Sequence, residues 1–303
     1  MKKIISYIKN PRKIIIYMMN QNIFWFLPDK LYLKMKYRLV MGKKLNIDNP
    51  RTFNEKLQWV KLYDRKDVYT KMVDKYEAKK YVKNIIGEEY VIETLGIYDK
   101  FEDIDFEKLP NEFVMKSTHG SGDVYICKDK NKIDYKTLKK KVRKWLKRDY
   151  YKVHREWPYK NVKRRIIIEK YLSEFENDDI KDYKFFMFDG KLAFSLICSN
   201  RKEKVKFTFF DKNGKFMDIT QCGEQYDKNV KLPQNYSKMV NLSEKLSKGT
   251  IELRVDFYEI YGKIYFGELT FFDSAGFGPF EPEEWDKKIG DMLKLPKEKK
   301  DEK

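Results

Sequence analysis

Between residues 182 and 269 the chain alternates apolar and polar positions and is interrupted by three short turn signals, Asp189-Gly190, Asn213-Gly214 and Tyr261-Gly262. Asp-Gly and Asn-Gly suit tight hairpin turns, because such turns need positive φ and glycine has no Cβ to clash. The pattern predicts hairpins over 183–198, 205–219 and 252–269, with a helix over 236–246 between the last two. Hairpins build antiparallel sheet, which argues for largely antiparallel sheets rather than a doubly wound parallel sheet. A further hairpin is written into residues 113–130, FVMKSTHGSGDVYICKDK. An apolar run ends at Lys116, a polar loop carries Gly120, Ser121 and Gly122, and a second run covers 124–127. Lys116 stands at the mouth of that loop as a fixed cation. The segment suits a phosphate lid, and it equally suits an ordinary hairpin with a glycine-bearing turn; taken alone it leaves both open.

The first hundred residues read differently. Helical spacing covers 4–9, 12–19 and 29–41, with Gly42 as a stop. Another helix follows Pro50 and Thr52, carrying Phe53, Leu57 and Val60, and one more runs over 68–82. Residues 91–98 read as a strand. After the hairpin, 135–147 is a basic helix with Leu138, Val142, Trp145 and Leu146 on one stripe, and 165–172, RIIIEKYL, is an apolar strand. The tail from Trp285 is helical and then frayed. No internal repeat is visible. The fold class is therefore α+β, with antiparallel sheets preceded by an N-terminal helical region.

Composition narrows the partners. The chain has 303 residues and a net charge of +18, with 42% hydrophobic and 16% aromatic residues, so it can bury a substantial core and favours polyanions. No nucleic-acid motif stands out, so a specific nucleic-acid role is not expected. Three dispersed cysteines and two histidines give no zinc spacing, and Cys127 and Cys198 lie in apolar runs as core residues. Sparse cysteines suit a reducing, cytoplasmic setting. No cleavable signal peptide and no membrane-length apolar run is seen. Residues 14–27 are apolar and aromatic beside a basic flank. They suit a first helix packed on the core, with peripheral contact at the inner face of a membrane as the other option.

The residues with chemical promise sit mainly in the last hairpin. Alternation puts Arg254 and Asp256 on one face, and Glu268 and Thr270 face them from the partner strand. Two neighbouring carboxylates repel unless a cation lies between them, and hard oxygens beside phosphate suit Mg²⁺. The same acids also suit a surface pair neutralised by nearby lysines. Lys184 adds a cation on the first of these hairpins.

The order of these pieces resembles the ATP-grasp superfamily, in its TupA-like branch of polysaccharide-biosynthesis proteins. RTFNEKLQW, FVMKSTHGSGD, IIIEKYLSE, DYKFFMFDGK and LRVDFYEIYGKIYFGELT carry the resemblance, over about residues 28–290. It implies two α+β subdomains gripping ATP: residues 1–66 as the helical region and 67–295 as the catalytic region. Within the latter, the lid would span about 112–172 and the metal-binding part about 173–290, with 296–303 as tail. It further implies that Lys75 and Lys116 contact nucleotide, that His119, Gly120, Ser121 and Gly122 form the lid, and that Glu169, Lys170, Tyr171 and Leu172 border adenine. Glu176 would meet ribose, Lys184 and Arg254 the transferred phosphate, and Asp256, Glu268 and Thr270 Mg²⁺. The family pattern usually has Asn where Thr270 stands, and Asp273 would compensate if its loop folds back. The implied activity is an ATP- and Mg²⁺-dependent carboxylate–amine ligase working through an acyl phosphate, with an anionic glycan as a candidate acceptor. A glycosyltransferase using a nucleotide sugar is the alternative.

Overall fold

The computed structural model describes residues 11–172 and 180–296. The expected helix over 4–9, the ribose candidate Glu176 and nearly all of the 296–303 tail lie outside the described residues. Two helices open the chain, α1 (Pro11–Asn20) and α2 (Asp29–Met41). Helix α3 (Phe53–Tyr63) follows, its start fixed by Thr52 and Glu55 in a reciprocal capping box. Burial of Leu33, Tyr37, Leu57 and Val60 sets which faces of α2 and α3 turn inward.

The single helix expected over 68–82 is two, α4 (Asp67–Val73) and α5 (Glu77–Ile86). Asp74 makes the break. Its Oδ1 accepts the backbone N–H groups of Tyr76 (2.9 Å) and Glu77 (3.3 Å), which restarts the helix three residues on. The kink matters because it turns Lys75 out of the helix and into a cleft.

Strand β1 (Thr94–Tyr98) begins a four-stranded antiparallel sheet with β2 (Phe113–Ser117), β3 (Val124–Cys127) and, after helices α6 (Tyr135–Lys147) and α7 (Tyr150–His154), β4 (Ile166–Lys170). The strand order is β1-β4-β2-β3. Leu138, Val142 and Trp145 of α6 pack with Phe113, Met115, Ile166 and Ile168, as the stripe predicts.

The second sheet contains β5 (Asp182–Phe188), β6 (Lys191–Ser199), β7 (Lys206–Asp211) and the short β8 (Phe216–Met217). Strand β9 (Thr220–Gln221), helix α8 (Tyr236–Leu246), and strands β10 (Glu252–Ile260) and β11 (Lys263–Thr270) come next. Strand β12 (Phe280–Glu281) pairs with β9, and α9 (Glu284–Met292) ends the described chain. The order β11-β10-β5-β6-β7-β8 is antiparallel throughout. At both Asp189-Gly190 and Tyr261-Gly262 the two residues have positive φ, the mirror-image turn that the dipeptides foretell. The α+β class with antiparallel sheets and an N-terminal helical region is the observed fold. Cys127 and Cys198 are buried, as expected.

Helix α9 packs against the start of α3 at Gly290. A Cβ there would lie 2.4 Å from the Arg51 carbonyl oxygen and 2.7 Å from the Phe53 nitrogen. Backbone cannot yield as a side-chain tip can. Gly290→Ala is expected to destabilise the fold by about 1–3 kcal/mol in a urea titration, and an unchanged midpoint contradicts this packing.

Candidate active site

Register builds the floor of the site. Asp256 on β10 faces Lys184 on β5 to one side and Glu268 on β11 to the other. One step along, Arg254 lies between Phe186 and Thr270. A bulge follows Asp256, where Gly267 is the extra residue. A Cβ at Gly267 would sit 3.1 Å from the Asp256 carbonyl oxygen, so glycine lets the two strands stay close beside the acids.

Asp256 is almost fully buried and thoroughly paired. Arg254 donates through Nε (2.7 Å) and Nη2 (2.8 Å), and Lys184 Nζ donates at 2.5 Å. Burial pushes the Asp256 carboxyl up, but Arg254 and Lys184 outweigh it and hold the pKa below the usual range. Arg254 also grips the Asp273 carboxylate and donates to Thr270 Oγ1 (3.1 Å). The loop after β11 does fold back, as the sequence allows. Its Asp273 goes to the arginine, however, and Thr270 does the same. Thr270 lies opposite Arg254 and accepts from it, and neither residue is among those lining the cleft.

The roof comes from the other sheet. Lys75 Nζ donates to the Gly120 carbonyl oxygen (2.6 Å) and to Glu268 Oε1 (3.2 Å), so it ties the glycine loop to the floor. Ser117 Oγ donates to Asp123 Oδ2 (2.9 Å) and the Thr118 N–H to the Arg165 carbonyl (3.0 Å), fastening the base of that loop. Gly122 has φ 79° and nothing within 4 Å of a built Cβ, which leaves the loop tip open towards the cleft. Lys116 Nζ lies 2.6 Å from Glu169 Oε2, and Lys79 pairs with the same carboxylate. Burial pushes Glu169 up, yet the two ammonium groups bring its pKa down to about 2.

One cleft thus gathers Lys75, Lys116, Ser121, Gly122, Glu169, Lys184, Asp256 and Glu268, with Met72, Ala78, Ile92 and Val124 as apolar wall. Other expected residues lie elsewhere. His119 is 3% exposed and its Nε2 meets the Trp145 carbonyl oxygen at 3.1 Å. A carbonyl can only accept, so Nε2 carries a proton, and burial lowers the pKa of the ring. His119 therefore anchors the glycine loop on α6 and is not among the residues lining the cleft. The Lys170 side chain is exposed, and its backbone N–H donates to the Glu93 carbonyl (3.0 Å). Tyr171 and Leu172 follow at the strand end and do not line the cleft.

Sequence reasoning missed Lys79, Arg201 and Asp182, all of which line the cleft. Lys79 sits four residues after Lys75, a helical spacing that was available as a signal. It also missed what RTFNEKLQW does. Asn54, Gln58 and Lys61 share one face of α3 and hold the loop after β11. Asn54 exchanges two hydrogen bonds with the Gly278 backbone (2.9 and 3.1 Å), and Gln58 Nε2 donates to the Gly276 carbonyl oxygen (2.6 Å). Lys61 Nζ, fully buried, donates to the Ala275 carbonyl oxygen (2.7 Å). That loop carries Phe272, Ser274 and Ala275 at φ 62°, 49° and 53°, a strained run that needs such bracing.

The donor set fits one Mg²⁺ only with help. Asp256 and Glu268 are hard carboxylates side by side. Among the described residues no group of three or more acidic, His or Cys side chains is placed to enclose a metal ion. Oxygens of a bound phosphate and water would have to complete the coordination.

The family model described as TupA-like ATPgrasp matches residues 55–294, beginning later than the resemblance around residue 28 suggests. No curated protein matches the chain. Among solved structures, the chain is similar to D-alanine–D-alanine ligase from Bacillus anthracis complexed with ATP, at 19% identity over 73% of this chain and 63% of that one, TM-score 0.41. It is similar to the D-alanine–D-alanine ligase of Helicobacter pylori, at 14% identity over 80% and 69%, TM-score 0.41. It is also similar to the ATP-grasp ligase PsnB complexed with minimal precursor, at 9% identity over 75% and 62%, TM-score 0.42. Likenesses of this size fix neither substrate nor activity.

Glu169 offers a clean pH test. Its folded pKa of about 2 lies below the ordinary value near 4.5, so its stabilisation is complete above the unfolded pKa and is lost as pH falls through the folded one. Denaturation of wild type and Glu169→Gln should differ most above about pH 4.5 and converge towards pH 2. A difference that is flat across this window contradicts the pairing with Lys79 and Lys116.

Proposed function

The chain belongs to the TupA-like ATP-grasp family, and from that premise we propose that it is an ATP-dependent ligase joining a carboxylate to an amine. The observation that carries the reading is the single cleft in which Lys75, Lys116 and Lys184 face the Asp256/Glu268 pair beneath a glycine loop. Three lysines around two acids, with an apolar wall beside them, suit a triphosphate whose base lies on the apolar side.

In this reading Ser121 and Gly122 cover the phosphates, with backbone N–H groups free to approach because Gly122 has no side chain. Lys116 and Lys184 neutralise phosphate charge. Arg254, fixed by Asp256 and Asp273, supports the transferring phosphoryl group electrostatically. Asp256 and Glu268 would hold Mg²⁺, which when bound supplies further neutralisation of phosphate charge. A carboxylate oxygen of the first substrate takes the γ-phosphoryl group and ADP leaves. The amine nitrogen then attacks the carbonyl carbon, phosphate departs with the bonding pair, and the nitrogen gives up a proton to leave an amide. No nucleophile from the protein is required. The finer part of the proposal is that the acceptor belongs to a cell-surface polysaccharide or its precursor. The resemblance to TupA-like proteins and the net charge of +18 support an anionic acceptor.

Turnover separates this reading from nucleotide-sugar transfer. Purified protein with Mg·ATP, a panel of carboxylates and a panel of amines should release ADP only when all are present. Asp256→Asn and Glu268→Gln should each lower that rate at least about a hundredfold; Glu268→Gln should melt like wild type, and Asp256→Asn, which unpairs Arg254, should still melt cooperatively but at a lower temperature. Normal ADP formation by both variants, or release of UDP from UDP-sugars instead, would sink the assignment.

A further inference from the structure

Among the described residues fourteen large hydrophobic side chains are exposed, and six of them fall within residues 14–31: Ile14, Tyr17, Ile23, Trp25, Phe26 and Leu31. Trp25 and Phe26 are 61% and 63% exposed. The expected packed first helix is thus only half the outcome. Met19 is buried, and Ile15, Phe24 and Leu27 pack with it, while their neighbours face solvent.

The outward rings are held there by design of the interior. Arg155 is 2% exposed, and its Nη2 donates to the carbonyl oxygens of Phe24 (3.1 Å), Trp25 (3.1 Å) and Leu27 (3.3 Å). Its guanidinium also stacks 4.2 Å from the Tyr32 ring centroid, and Nε lies 3.4 Å from Asp29 Oδ1. One buried cation therefore grips three carbonyls of a loop that sends Phe24 and Leu27 inward and Trp25 and Phe26 outward. Two such rings left in water forgo the stabilisation of apolar burial, so a fixed outward pose asks for an occupant.

The charges name its chemistry. Lys152 Nζ stands 5.4 Å from the Trp25 ring centroid, and Lys160 Nζ stands 5.6 Å from that of Tyr151. Lys30 bonds Asp48 and lies beside Tyr63, itself 51% exposed. Arg12 and Lys13 sit on the adjoining α1. Cores of protein–protein interfaces are depleted of lysine, whereas here lysines interleave with the rings. Amphipathic rings at the depth of lipid glycerol, with ammonium groups at the headgroups, are how a protein rests on a charged bilayer. Among the described residues no helix is long and apolar enough to cross a membrane, so contact would be from one side.

We propose that the loop over residues 22–27, flanked by Leu31 and Tyr63, docks this protein on the surface of an anionic lipid bilayer. The proposal does not rest on the ligase reading, and its test uses no turnover. Full-length protein is sedimented with vesicles of phosphatidylcholine alone or mixed with phosphatidylglycerol, at about 0.15 M salt to limit purely electrostatic attraction. Wild type is expected to bind the mixed vesicles, and Trp25→Ser/Phe26→Ser to bind about tenfold more weakly with an unchanged melting temperature. The double variant keeps the net charge, so undiminished binding means charge alone is responsible and overturns the proposal. Absence of wild-type binding overturns it as well. So does a wild-type dimer that the variant splits into monomers in sedimentation velocity, since a second copy then covers the patch. Should the double variant fold poorly, Trp25→Phe serves instead. Vesicles should blue-shift the wild-type emission and leave that of the variant unshifted, and an equal shift in both overturns the proposal.

Discussion

The candidate site depends on the largely buried guanidinium of Arg254. It reaches three parts of the fold at once: Asp256 on its own strand, Thr270 on the neighbouring strand and Asp273 on the loop beyond. Burial alone would disfavour its charge, yet the surrounding carboxylates hold its pKa well above the ordinary value. Removing one partner from such a buried pair leaves a desolvated charge, which costs about 3–5 kcal/mol. Arg254 is thus locked in place before any ligand arrives, which is what electrostatic preorganisation requires.

The rest of the architecture serves that lock. The loop bearing Asp273 has backbone that L-residues adopt reluctantly, and helix α3 restrains it through Asn54, Gln58 and Lys61. Burial lowers the Lys61 pKa to about 7, so even its charge is held at a cost, offset by the Ala275 and His154 carbonyls. The N-terminal helices therefore act on the site through a brace. Across the cleft each lysine also has a carboxylate: Lys184 on Asp256, Lys75 on Glu268, Lys116 on Glu169. Glu169, buried between two lysines, is a permanent anchor. Glu268 is the most exposed of these three acids and holds its lysine at 3.2 Å, the longest of the three pairs, which makes it the easiest to exchange for a ligand.

Much of this was legible in the sequence, and the reasons differ by residue. The Asp256/Glu268 juxtaposition followed from strand alternation and a short hairpin, because period and turn together set register. The α6 stripe and the buried cysteines were equally direct. The break at Asp74 was missed because the apolar spacing runs through it, although Asp74 and Glu77 have the spacing of a helix start. The partners of His119 and Thr270 were not legible, because sequence assigns a residue to a loop or strand and says nothing of which neighbour claims its polar atom. The bracing role of α3 joins residues more than 210 positions apart, which no local pattern encodes.

The central claim is that the cleft is built for a magnesium–nucleoside triphosphate. Calorimetric titration of the purified chain with ATP, with and without Mg²⁺, and with UDP-sugars addresses it most directly. The account predicts saturable ATP binding that Mg²⁺ strengthens and that Glu268→Gln weakens, with no heat from UDP-sugars. Saturable binding of a UDP-sugar with none of Mg·ATP would contradict it.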